Sequence, residues 1–343
     1  MNPSIRAILL SALLPLATCS WATHLLGGNV GYVYLGETAP GSGQYAYQVY
    51  MEFYLNCGSD SNWPTLAALV DAGGGSLPLG VYTQDPQNPN ADKQLFTTVD
   101  MFLEDSLNII PDLPNGCTVG AGLCAKKGLF TGQVILPLSF AGYHLYFHNF
   151  SRNITIDNLF DPNQTGIGYY AFIPPTLVNN SSPVWIGIPT PFLCITDTTT
   201  FINSASDPDG DQLIFSFETP YNSVTNQGGI QPPPGQLPWP IPEVTWNPGF
   251  STAQPFGTGG YSFINGATGL TSYLPPIQGN YVVAVEVKEF RNGQLIGVTR
   301  RDLQLQAIPC PPNATPEVSG QLPLSYTVDA GAQLCFSMGF TDV

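Results

Sequence analysis

The chain has 343 residues, with 24 Asp and Glu against nine Lys and Arg, for a formal net charge of −15. That balance excludes nucleic acid as a partner, because phosphate needs a basic surface, and it leaves no basic patch for anionic lipid. Charged residues are 10% and hydrophobic residues 43%, enough apolar side chain for real cores, so wholesale disorder is excluded as well.

Residues 1–22 read as a secretory signal. Arg6 supplies the positive start, Ala7 to Ala17 the apolar run, and Ser20-Trp21-Ala22 a small-x-small cleavage site. The run is too short to span a bilayer as a mature helix, and no later segment reads as a span. The rival reading is lipoprotein processing at Cys19, which Thr18 fits poorly. The mature chain then begins near Thr23 and is expected outside the cell. It carries Cys57, Cys117, Cys124, Cys194, Cys310 and Cys335, and an even count in a secreted chain suggests disulfides. Cys117 and Cys124 are close enough for a local loop bridge. The alternative for each is a buried free thiol. No C-x-x-C pair exists, which argues against a cysteine metal site.

Residues 23–178 carry short alternating segments and are expected to form an N-terminal β-sandwich domain. Gln44 to Cys57 is the clearest: Tyr45, Tyr47, Val49, Met51, Phe53 and Leu55 share one face, with Gln48, Glu52 and Asn56 opposite. Period two over this length means a half-buried strand. Gly128 to Ser139, Tyr143 to Phe150 and Gly166 to Pro174 read similarly. Asn179 to Pro183 marks a boundary, and 179–310 is expected to be a second β-sandwich. Pro232 to Pro242, with Trp239 inside it, reads as a stiff connection. Tyr281, Val283, Val285 and Val287 alternate inward, and Asn292-Gly293 supplies a two-residue hairpin turn, with Leu295 to Ile308 as the return strand. Residues 311–343 start a further, incomplete unit. Phe336 precedes Asp342 by six residues, as Phe201 precedes Asp207, a weak internal repeat that breaks off. The expected fold class is therefore all-β, with tandem β-sandwich domains, the last one truncated.

Asp207-Pro-Asp209-Gly-Asp211 is the sharpest motif. Three carboxylates at alternate positions repel one another unless a hard cation, which takes six to eight oxygens, draws them together. An EF-hand fails here: the sixth position is Gln212, not Gly, and Gln212 to Glu218 alternates like a strand. A fourth ligand follows from topology. In a seven-strand sandwich the loop after the second strand meets the end of the sixth, which brings Glu289 to Asp207, Asp209 and Asp211. The expected ion is Ca²⁺, near the joint between the two domains; the competing reading is an Asp-rich surface turn. The same topology puts Cys194 and Cys310 at the opposite end, close enough to bridge.

Ser206-Asp-Pro-Asp-Gly-Asp211, Ala267-Thr-Gly-Leu270 and Gly279-Asn-Tyr-Val-Val-Ala-Val-Glu-Val287 resemble the cadherin-like and PKD-like modules of large bacterial surface proteins. The resemblance implies an Ig/cadherin-like β-sandwich, often stiffened by calcium and strung in tandem. The whole chain also looks like the N-terminal part of long secreted proteins of Bacteroidetes-type bacteria, some with a gliding-motility-associated or sorting domain further on. The residues are Thr23-His-Leu-Leu-Gly-Gly28, Arg152-Asn153, Ser182-Pro183, the Pro232 to Trp246 stretch, Glu289-Phe-Arg-Asn-Gly293 and Arg300-Arg-Asp302. Those relatives tend to carry a Cys pair just before the Arg-Asn, where Phe150 and Ser151 stand here. The resemblance implies surface display, adhesion or a matrix role, with a surface glycan or protein as partner.

No G-x-S-x-G, P-loop or H-E-x-x-H is present. His144 and His148 share a strand face and read as ordinary strand residues; Glu104-Asp105 reads as a solvated turn. The leading reading is an exported, non-catalytic adhesion or stalk protein. The alternative is a carbohydrate-binding or accessory region of a larger secreted hydrolase.

Overall fold

The computed structural model describes residues 25–56, 70–71, 73–109, 125–187 and 191–310, with short stretches at 317–319, 325, 327–329 and 339–341. The proposed leader and Cys57, Cys117, Cys124 and Cys335 lie outside the described residues. The fold is all-β. Seven strands occupy its first part: β1 (Leu25–Glu37), β2 (Gln44–Asn56), β3 (Leu77–Thr83), β4 (Lys93–Ile109), β5 (Ala125–Pro137), β6 (Tyr143–Asn149) and β7 (Ile167–Ile173). The alternation read from the sequence is obeyed on β2, where Tyr45, Tyr47, Val49, Met51, Phe53 and Leu55 are all buried in one core with Val30, Leu79, Phe130, Leu145 and Tyr169.

The second part adds β8 (Val184–Trp185), β9 (Phe192–Cys194), β10 (Thr199–Ile202), β11 (Ala205–Ser206), β12 (Gln212–Glu218), β13 (Gln236–Leu237), β14 (Tyr261–Ile264), β15 (Leu270–Leu274), β16 (Gly279–Arg291) and β17 (Gln294–Ile308). β16 and β17 form the expected hairpin, and Asn292 and Gly293 at its turn both have positive φ, 54° and 78°. Beyond it, β18 (Glu317–Ser319) pairs with β19 (Gly339–Thr341).

The two parts share one sheet. Its strands run β1-β2-β5-β4-β3-β6-β7-β17-β16-β12, and β1 also pairs with β17. The path from β1 to β17 therefore closes into an eight-stranded antiparallel ring. β17 is long enough to serve several partners. β16 takes one edge over almost its whole length. The other edge meets β7 at Thr299, β1 at Asp302 and Leu303, and β9 in parallel at Gln306 to Ile308. The sheet thus continues across the position near residue 179 where the sequence places a boundary.

Close approach of β1 to β2 and β7 beside this seam depends on glycine. A Cβ on Gly28 would collide with the backbone carbonyl of Glu52 and with the rings of Phe53 and Tyr169. Backbone cannot yield as a side chain can. Gly28→Ala is therefore expected to lower stability by about 1–3 kcal/mol, the usual range for overpacking, as read from urea unfolding; a loss below about 0.5 kcal/mol would show that β1 shifts freely against β2 and β7.

A second layer, β10-β15-β14, packs against the hairpin. Phe201 and Tyr273 from this layer meet Tyr281, Val283, Leu303 and Leu305 in one cluster. Trp185, Phe215, Val285 and Val287 form another, with Ile264 against it. One expectation needs correcting here: β16 does not simply alternate inward and outward. Val282, Ala284 and Glu286 are as buried as Tyr281 and Val283, because Ile156, Leu159, Val244 and Trp246 pack against Val282, and Glu286 pairs with the buried Arg300 at 2.6 Å. The proline-rich connection is pinned down as well. β13 pairs with β4, and the half-buried Trp239 packs on His144 and Tyr170 with the Lys93 ammonium 4.3 Å above its ring.

Candidate metal centre

The Asp-rich loop leads directly into β12, and β12 pairs with β16 so that Gln212 faces Phe290 and Leu213 faces Glu289. This register carries the loop to the Glu289 carboxylate. Ligand atoms of Asp207, Asp211 and Glu289 all lie within 4.8 Å of one another. Asp209, the fourth predicted ligand, turns elsewhere: its Oδ2 accepts the Ser181 N–H at 2.6 Å. The loop conformation is set by Asp207, whose Oδ1 accepts the N–H groups of Asp209 and Asp211, each at 2.9 Å. Two acceptor bonds from one short side chain wind the backbone tightly, as aspartate does in turns.

Glu289 is the unusual member. It is 0% exposed, and neither carboxylate oxygen has a hydrogen-bond partner; the Oδ2 of Asp207 is likewise buried and unpartnered. The Asn180 amide and the Asp211 carboxylate lie beside Glu289 without sound hydrogen-bond geometry. Opposite it on β17 stands Gly297, where a Cβ would run into the carboxylate; the missing side chain makes the space that Glu289 occupies. Burial pushes the Glu289 carboxyl up to about 9, opposed by the Asn180 amide and reinforced by the negative charges of Asp207 and Asp211. A buried carboxylate without a partner costs several kcal/mol, so the group calls for a proton or a cation.

Arg291, which the sequence reading did not single out, sits at the edge of the cluster. Its Nε and Nη2 donate to the two Asp211 oxygens at 2.8 and 2.5 Å. This fork holds the Asp211 carboxyl below the usual carboxylate range. The same guanidinium donates to the Asn179 carbonyl at 3.0 Å and to Asn180 Oδ1 at 2.8 Å. Arg291 and Asp209 together therefore grip residues 179–181, the crossover between the two parts of the chain. The crossover in turn grips β1: Ser182 and Tyr32 exchange backbone and hydroxyl hydrogen bonds, and Ser181 Oγ accepts the Tyr34 N–H. The cluster thus sits beside the crossover at residues 179–181. An open groove of about 500 Å³, lined by Asp207, Asp211, Leu213, Phe215 and Thr268, connects it to solvent.

The residues present suit a hard cation. The ligand atoms gathered here are carboxylate oxygens, and the buried unpartnered ones belong to Asp207 and Glu289. Arg291 pairs with Asp211 and, at 3.9 Å, with Asp209, but with neither Asp207 nor Glu289. Far along the hairpin, Cys194 and Cys310 form a disulfide with Cα atoms 5.4 Å apart. Cys194 ends β9 and Cys310 lies two residues past β17, roughly 40 Å from Glu289 at ~3.3 Å per strand residue. His144 and His148 have separate partners, Tyr170 and Gln84 for the first and Ser223 for the second. Burial lowers the pKa of both, that of His144 to about 3, so both are neutral parts of the packing over β6.

Comparison with protein-family models, with curated proteins and with solved structures found no match. Among the described residues no helix is long and apolar enough to cross a membrane.

Proposed function

We propose that this is an exported, non-catalytic surface protein, built of Ig/cadherin-like β modules, that acts in adhesion or as a rigid spacer, and that Ca²⁺ bound at Asp207, Asp211 and Glu289 stiffens its joint. The observation that carries the reading is Glu289: fully buried, unpartnered, and within reach of two loop carboxylates at the place where the crossover is held. Oxygen-only donors and a carboxylate excess favour Ca²⁺ over softer metals. A cation there joins the loop before β12 to the end of β16, both of which hold residues 179–181, so occupation restrains the hinge between the ring and the second layer. Extracellular surfaces commonly use such weak, millimolar-range calcium sites.

The test is thermal unfolding of the full chain in chelator and across rising calcium. A ligand that binds only the native state contributes about 2.7 kcal/mol at a hundred times its Kd, which corresponds to a midpoint rise of several degrees for a protein of this size. The rise should saturate and should vanish in Asp207→Asn. Identical midpoints up to 10 mM calcium would overturn the metal reading and leave the loop as a turn.

A further inference from the structure

The cation reading of this site leaves two observations unexplained: Asp211 is already engaged by Arg291, and Arg291 also engages Asn179 and Asn180. Resting on that reading, we propose that Arg291 is a built-in counter-ion that a divalent cation must displace, and that its departure hands the cation Asn180 Oδ1 as a further ligand, so that the crossover itself enters the coordination shell.

The geometry makes the exchange specific. The free oxygens are Glu289 Oε1 and Oε2 and Asp207 Oδ2, too few for a calcium ion that takes six to eight. Further oxygens at the edge of the cluster, both of Asp211 and Oδ1 of Asn180, are those Arg291 now holds. A guanidinium and a calcium ion cannot share them at close range, since both are cations. Arg291 has room to leave: its side chain is 30% exposed, on a hairpin end beside solvent. Asn180 cannot leave. It is 1% exposed, its Nδ2 is tied to the Tyr32 hydroxyl at 3.1 Å, and its amide lies beside Glu289. With Nδ2 anchored on β1, freeing Oδ1 leaves it beside the Asp211 carboxylate, since one Nη2 now holds both. Calcium would then link three segments: the loop before β12, the end of β16, and the crossover that is hydrogen-bonded to β1. Without calcium, Arg291 links the same segments more weakly, as a partly exposed and salt-screened contact. The joint would be held in both states, and more firmly in the loaded one.

Calcium titration calorimetry on the full chain tests this, with wild type, Arg291→Gln, Arg291→Lys and Asn180→Ala. Arg291→Gln keeps hydrogen-bonding capacity but removes the competing charge, so calcium affinity should rise about tenfold or more, given a unit charge about 4 Å away at intermediate dielectric. Arg291→Lys keeps the charge, loses the fork on Asp211, and should fall between. Asn180→Ala should weaken binding about tenfold. Far-UV circular dichroism checks that each variant is folded; should Arg291→Gln fail to fold, the Lys variant carries the same comparison. Calcium binding that is equal or weaker in both Arg291 variants would overturn the displacement while leaving the metal site standing. Unchanged affinity in Asn180→Ala would remove that residue from the shell. Absence of binding in every folded variant would overturn the metal reading itself, and this inference with it.

Discussion

Replacing Arg152 by methionine is expected to destabilise the protein by about 3–5 kcal/mol, the cost of leaving one member of a buried ion pair alone. Arg152 and Asp302 have side chains only 2% and 3% exposed. The guanidinium donates through Nη1 and Nη2 to both Asp302 oxygens, at 3.2 and 2.5 Å. It also donates through Nε to the Gly166 carbonyl at 2.7 Å and through Nη2 to the Tyr221 carbonyl at 3.1 Å. Asp302 faces Gly28 across the seam that closes the ring, so the uncompensated charge falls where β1, β7 and β17 meet. Urea unfolding provides the measurement. Arg152→Met/Asp302→Leu should recover much of the loss, because it removes both charges together. A single-variant loss below about 1 kcal/mol would mean that water reaches the pair and that the ring is open there.

The second large effect is expected from the disulfide. Cys194 and Cys310 close a loop with a sequence separation of 116, and loops of this length gain most from a crosslink in the chain-entropy account, about 4–5 kcal/mol. Cys194→Ala/Cys310→Ala should therefore lower unfolding stability by about 2–5 kcal/mol. The parallel pairing of β9 with β17 should fray first, since three residue pairs hold it. Hydrogen exchange at Leu193 and Ala307 reads that fraying directly. Unchanged stability after loss of the bridge would show that the unfolded chain is already constrained between these points.

Much of the candidate site was legible in the sequence because its parts are local. Carboxylates at alternate positions with Gly210 between them define the loop chemically, and Glu289 stands out as a charge on an otherwise apolar strand face. The convergence of Asp207, Asp211 and Glu289 follows from strand order alone, which made it accessible to a topology argument. Asp209 was misplaced because its nearest donor, the Ser181 amide, belongs to another segment. Arg291 could have been found: it is two residues beyond Glu289 and thus on the same side of a strand, a cation beside an acidic cluster.

By itself the sequence determined β2, β5, β6, β7, β12 and the β16–β17 hairpin with its turn, since alternation and positive-φ turn residues act over two to four positions; it did not show β1, β3 or β4, and Glu104-Asp105, which reads as a solvated turn, lies within β4. It also brought Cys194 and Cys310 to a common end. Only the tertiary structure decided that β17 closes the ring against β1 and β7. That choice rests on Gly27 meeting the Asp302 carbonyl at close range and on Arg152 reaching Asp302 across a separation of 150 residues. It likewise decided that both faces of β16 are buried. Pairings at that distance depend on the summed burial and charge balance of all the segments that meet there, and no window of sequence carries that sum.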